Sequence, residues 1–167
     1  MLMANVSEFP LINSSKNLKI FTSYWSMRPH DNTGIVFSDE KICEMVKKAG
    51  YDGMAIDLGA ADITKAYELR PIMERVNLTP LIVAFPKTVN SLEETLIMAK
   101  DFGSPFVDII GQVMPLSVDG MIPIIRKWIE MSYKIDIPIQ FETHRNCITN
   151  DLYSTLLLLD AVPEMRL

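Results

Sequence analysis

Short apolar runs alternate along this chain with segments whose apolar residues recur every three or four positions. The runs cover residues 18–22, 53–58, 79–85, 104–110 and 137–141. They are short enough for strands and too continuously apolar to leave one face in water, which predicts strands buried on both faces. Helical patterns fill the gaps. Ser38 caps the first, with Asp39 and Glu40 at the positive end of the helix dipole and Ile42, Met45, Val46 and Ala49 as the buried stripe; Gly50 stops it. Residues 62–76 read as a second helix that Pro71 should kink or divide. Ser91 and Glu94 make a capping box ahead of Leu92, Leu96 and Ala99. Residues 119–133 turn Ile122, Ile125 and Ile129 inward. Thr149 or Asn150 caps the last helix, with Leu152, Leu156 and Leu159 inward and Pro163 at its end. Met165, Arg166 and Leu167 read as the start of a sixth strand.

Strand and helix therefore alternate five times, with strands starting roughly 26 to 35 residues apart, the pattern of right-handed βαβ units and a parallel sheet. Two architectures fit. An eight-stranded barrel needs about 250 residues, so this chain supplies about five units of eight. A doubly wound open sheet of five or six strands fits the 167 residues with nothing missing, and length alone favours it. Residues 1–17 are polar and irregular and read as a flexible leader; residues 18–167 read as one domain.

Charge and composition remove several functions. A net charge of -5 argues against a protein that holds nucleic acid through phosphate contacts. No apolar run approaches the roughly 18 residues of a membrane span, and the start lacks a basic segment followed by an apolar block, so no membrane association or secretory signal is expected. Cys43 and Cys147 lie far apart, belong to no metal-type pair and are expected to be reduced in a cytoplasmic protein; Cys43 reads as a small core residue on a helix. No glycine-rich phosphate loop follows any strand, which removes the usual nucleotide-binding readings.

Chemistry concentrates at Ile137-Pro-Ile-Gln-Phe-Glu-Thr-His-Arg145, where an apolar strand ends abruptly in a carboxylate, a hydroxyl, an imidazole and a guanidinium. Alternation puts Gln140 and Glu142 on one face, and His144 joins them if the backbone stays extended. Parallel α/β sheets build their sites at this carboxyl edge. Solvated loop residues after a strand are the plainer reading. Asp57 near the end of the second strand, Gln112 after the fourth, and Trp25, Arg28 and His30 after the first are further candidates. For Asp57 the plain alternative is a cap on the turn that begins at Gly59.

The segment Gly111-Gln-Val-Met, Phe-Glu-Thr-His-Arg145, Asp151-Leu-Tyr-Ser-Thr-Leu156 and Ala161-Val-Pro-Glu-Met-Arg-Leu167 resembles the amino-terminal portion of the sugar phosphate isomerase/epimerase family, the xylose isomerase-like group of TIM barrels. The turn Lys47-Lys-Ala-Gly-Tyr-Asp-Gly53 also looks like that family. The resemblance implies a parallel (β/α) barrel of TIM type, truncated after about five βα units. It further implies one divalent cation (Mn, Mg, Co or Zn) at the strand ends. The family's fifth-strand glutamate ligand carries over to Glu142, with His144 and Arg145 facing the substrate. The family's later ligands, an Asp and a His near the sixth strand and a Glu on the eighth, lie beyond the matched portion. The site is then incomplete and the chain inactive as it stands.

The activity so implied is isomerisation or epimerisation of a sugar or sugar phosphate, which begins with removal of a proton next to a carbonyl. A cation beside the enediolate oxygens stabilises their developing charge. Glu142 would be its ligand or a general base. His144 would hydrogen-bond a hydroxyl or move a proton, and Arg145 would clamp a carboxylate or phosphate. Gln112 and Asp57 would hold sugar hydroxyls, Trp25 would stack on the ring, and His30 would join the substrate site. Two alternatives stay open: a polyol dehydratase of the same fold, and a non-catalytic module that binds a ligand or partner. Unpaired strands at both ends of a partial barrel would favour self-association or a homo-oligomer.

Overall fold

The computed structural model describes residues 18–27, 35–59 and 62–167. The leader expected over residues 1–17 lies outside the described residues, as do Arg28 and His30. Five strands, β1 (Phe21–Ser23), β2 (Gly53–Asp57), β3 (Thr79–Ala84), β4 (Val107–Ile109) and β5 (Ile139–Phe141), pair in parallel in the order β1-β2-β3-β4-β5. Each is followed by a helix or helical turn. A 3-10 turn (Trp25–Met27) and α1 (Asp39–Lys48) follow β1; α2 (Ile63–Arg75), α3 (Leu92–Asp101), α4 (Val118–Ile135) and α5 (Leu152–Ala161) follow the others.

Strand order and helix placement decide between the two architectures. A doubly wound sheet reverses its strand order part-way and carries helices on both faces; among the described residues this sheet does neither. Met54, Ile56, Ile82, Ala84, Val107, Ile109, Ile139 and Phe141 alternate onto one face, and all of them join the large core shared with the helices. The opposite face carries a separate small cluster of Ala55, Leu81, Val83, Ile110 and Cys147, with Phe21, Phe85 and Phe106 packed on it, and no helix residue takes part. Sequential parallel strands with every helix outside are an arc of an α/β barrel. Beyond β5, the Phe141 amide donates to the Arg166 carbonyl at 2.9 Å. That bond seats the residues expected to begin a sixth strand against the β5 edge, although no strand is assigned there.

Several sequence expectations are corrected. Pro71 neither divides nor ends α2, which runs unbroken from Ile63 to Arg75. The residue is exposed, so the carbonyl it leaves without a partner lies on the solvent side of the helix. Ser91 makes no side-chain cap to α3. It exchanges hydrogen bonds with Thr88 instead: each amide donates to the other's hydroxyl at 3.1 Å. Asp151, rather than Thr149 or Asn150, caps α5, accepting from the Ser154 amide at 2.8 Å. The cap fixes where the helix starts, and it turns Thr155, Leu158 and Val162 inward while Leu152 and Leu156 are exposed. Leucines at four consecutive positions, 156–159, carry no periodicity from which a buried face could be read. On α1 the buried positions are Ile42, Cys43 and Val46, and Ala49 is exposed.

The helix-side core closes beneath β4 and β5 around Trp128 of α4. The residue is fully buried, its indole N–H donates to the Val89 carbonyl at 2.9 Å, and its ring stacks on Phe141 with centroids 6.1 Å apart. Gly111 packs close to it: an added Cβ there would lie 3.4 Å from the indole ring, in van der Waals contact. Trp128→Ala is expected to cost about 3–5 kcal/mol by leaving a cavity. Trp128→Phe should cost less, chiefly the lost hydrogen bond. Urea denaturation of the three proteins measures both; a Trp128→Phe variant as stable as the parent would show that the indole N–H contributes nothing.

Candidate active site

The helix-free face of the sheet is where polar side chains can stand without disturbing the packing of the helices. Register assigns them to one row: Asp57 pairs with Val83, Val83 with Asp108, and Asp108 with Gln140. Glu142 follows one step beyond β5, its amide donating to the Ile109 carbonyl at 3.0 Å as a further ladder bond. Alternation therefore carries Glu142 onto the same face as Gln140 and diagonally beside Asp108.

The Asp108 and Glu142 carboxyls lie within hydrogen-bonding reach of each other. Burial pushes the Asp108 carboxyl up to about 7, and the hydrogen bond and charge of Glu142 push the same way; a hydrogen bond with the Ile109 backbone opposes them. Asp108 thus keeps a proton close to neutral pH, and that proton closes the bond between the two acids.

Beyond Glu142 the ladder stops, and the chain enters a turn at Arg145. The Thr149 hydroxyl donates to the Glu142 carbonyl at 2.7 Å, and Asn146 adopts a left-handed conformation with φ 59°, which asparagine tolerates well. The resulting turn still delivers His144 and Arg145 to the strand ends. His144 Nδ1 lies 2.7 Å from the Arg145 carbonyl oxygen. A carbonyl can only accept, so Nδ1 carries the hydrogen and Nε2 is left as the acceptor of the neutral ring. The imidazole meets the Phe85 ring edge-on, centroids 6.1 Å apart.

A cleft of about 780 Å³ opens at the carboxyl ends of the strands, lined by Trp25, Asp57, Gly59, Phe85, Pro86, Lys87, Gln112, His144 and Arg145. Five of the eight sequence candidates therefore meet in one cavity: Trp25, Asp57, Gln112, His144 and Arg145. Glu142 turns onto Asp108 beside them, and Arg28 and His30 lie outside the described residues. Asp57 has the plainer duty as well, since its Oδ1 accepts from the Gly59 amide at 2.8 Å. Trp25 is half exposed and lines the cleft.

Two residues were missed from the sequence. Asp108 had a signal: it is the single charge in the apolar run Phe106-Val-Asp-Ile-Ile110, the same anomaly that marks Glu142. Lys87 had none, because a lysine after a strand is ordinary. Among the described residues no three His, Cys, Asp or Glu side chains gather as a metal cluster. Asp108 and Glu142 are the two carboxyls of the helix-free face that lie together.

The fold has counterparts among solved structures. D-allulose 3-epimerase from Methylomonas sp., in complex with D-allulose, is similar with a TM-score of 0.56 and 16% identity over 87% of this chain and 59% of that one. A second structure of that enzyme, with additional C-terminal residues, gives 0.51 and 17% over 75% and 53%. The 3-dehydroquinate dehydratase from Geobacillus kaustophilus gives 0.50 and 15% over 74% and 49%. These identities establish a shared fold, and the chain spans about half the length of the structures it matches. No protein-family model and no curated protein sequence matches it.

The raised Asp108 carboxyl makes stability depend on pH. The folded protein holds this proton up to about pH 7, whereas an unfolded aspartate loses it near 3.8. Between those values the folded state binds more protons, so this group's contribution to stability falls as pH rises. Asp108→Asn removes the titration and keeps a donor to Glu142. In EDTA it should be more stable than the parent at pH 8 by roughly 1–2 kcal/mol, the full shift being shared across a coupled pair. The advantage should shrink towards pH 4. Thermal melts across that range check it, and a difference independent of pH would contradict the assignment.

Proposed function

We propose that the chain carries the amino-terminal half-site of a metal-dependent sugar or sugar-phosphate isomerase or epimerase that works by proton abstraction next to a carbonyl. The observation that carries this reading is the paired carboxyls Asp108 and Glu142 on the concave face of a barrel-type sheet, beside a cleft lined with hydrogen-bonding and aromatic groups. The likeness in fold to D-allulose 3-epimerase supports it. The dehydratase neighbour fits the same chemistry, since loss of water from a hydroxy-carbonyl compound also starts with removal of the neighbouring proton. Elimination from a polyol is accordingly the second reading.

The donor set suits a hard divalent cation. Mg²⁺ and similar ions are held by one or two carboxylates, with water and substrate oxygens completing the shell. Asp108 and Glu142 are two carboxyls from adjacent strands that share a proton for want of another positive charge between them, and a cation would replace that proton. Bound there, it would act as a Lewis acid on the substrate's carbonyl and hydroxyl oxygens.

The protein's own groups divide the remaining work. Glu142, or the Asp108 carboxyl beside it, accepts the substrate proton as general base. Gln112 and Asp57 offer hydrogen bonds to hydroxyls at the cleft wall. His144 presents an acceptor at Nε2, held in place by the bond at Nδ1. Trp25 and Phe85 supply apolar surface for the C–H face of a sugar ring.

Calorimetric titration of the purified chain with Mn²⁺ tests the reading, together with mass spectrometry of D-allulose and D-fructose incubated with it in D₂O. One Mn²⁺ per chain is expected, lost in Glu142→Gln and weakened in Asp108→Asn. Any deuterium incorporated by the parent should fall about 100-fold or more in Glu142→Gln. Absence of Mn²⁺ binding, or binding indifferent to Glu142→Gln, would contradict the proposal.

A further inference from the structure

The cleft has a second chemical character that the carboxyl pair does not explain. Lys87 follows β3 and Arg145 follows β5, and both line it. The two strands flank β4, so their ends are roughly 10 Å apart at ordinary strand spacing, within reach of two long side chains converging on one group. Neither cation forms an ion pair among the described residues. Lys65, Arg70, Lys100 and Lys127 have carboxylate partners while several other described basic residues have none, so what sets Lys87 and Arg145 apart is that both line one cleft. The acid that shares the cleft, Asp57, accepts from the Gly59 amide.

We propose that Lys87 and Arg145 form an oxyanion subsite at the cleft mouth, which takes the charged group of an anionic sugar: a phosphate or a carboxylate. A guanidinium offers a planar fork of donors and an ammonium a compact charge, and together they suit an oxygen-rich anion better than a neutral hydroxyl. Placing the anion there would set the rest of the substrate against Trp25 and Gln112, with its reacting carbon towards Glu142. The orientation of substrate rests on the proton-abstraction reading above; the anion subsite itself does not.

The test is calorimetric titration of the whole chain with inorganic phosphate and, separately, with D-gluconate, in EDTA and low salt. Lys87→Gln and Arg145→Gln are the variants, with Lys127→Gln as a control that removes a cation from an exposed ion pair on α4. Saturable binding of at least one anion is expected. Each cleft variant should weaken it about tenfold or more, added salt should weaken it further, and the control should match the parent. Phosphate alone assigns a phosphorylated substrate, gluconate alone a sugar acid, and both support the subsite. No saturable binding to the parent overturns the inference, as does binding that survives either cleft substitution. Because neither metal nor turnover enters the measurement, its failure leaves the proton-abstraction reading to its own experiment.

Discussion

The structure depends on a constraint of the simplest kind: side chains alternate across a strand, and here every helix covers the same face. The residues facing the helices must be apolar and close-packed, and they are. The others look onto the hollow of the arc, where helix packing makes no demand on them. That freedom is what lets Asp108 and Gln140 occupy the middle of strands otherwise made of valine, isoleucine and phenylalanine. A doubly wound sheet would bury both faces under helices and would leave no room for this row.

The row has an energetic consequence. Two carboxyls that face each other in partly buried surroundings cannot both ionise cheaply, so Asp108 holds its proton well above the usual aspartate range. Such an arrangement lowers the stability of the folded chain at neutral pH, and folds that retain it generally do so for chemistry. The loop after β5 is tied down around the same place. Thr149 bonds the Glu142 carbonyl, and Cys147 donates to the His144 carbonyl, so the backbone that carries the site is fixed by its own downstream residues.

Much of the fold was legible because strand and helix signals differ in period. The apolar runs located all five strands to within a few residues, and Leu92, Leu96 and Ala99 face the core as their spacing required. Chain length pointed to the open sheet, and only strand order and helix placement corrected that. Local errors share a cause. Thr88 displaced the Ser91 capping box, Asp151 displaced Thr149 as a cap, and the leucine run of α5 hid its buried face, because in each case several residues satisfied the same rule. The site was legible where charge breaks an apolar strand, as at Glu142; the same rule applied to Asp108 would have found its partner. Lys87 could not be found that way, since its place in the same cleft as Arg145 depends on the sheet as a whole.

The central claim is that Asp108 and Glu142 face each other on the concave side of the arc. Carbon-13 NMR of the aspartate and glutamate carboxyls, followed against pH in EDTA, tests it most directly. The account predicts that Asp108 titrates at about 7 in the parent protein. In Glu142→Gln it should move downward while staying above an ordinary aspartate, because burial remains when the neighbouring charge is gone. An Asp108 that titrates as an exposed aspartate, or one whose titration ignores Glu142→Gln, would contradict the account.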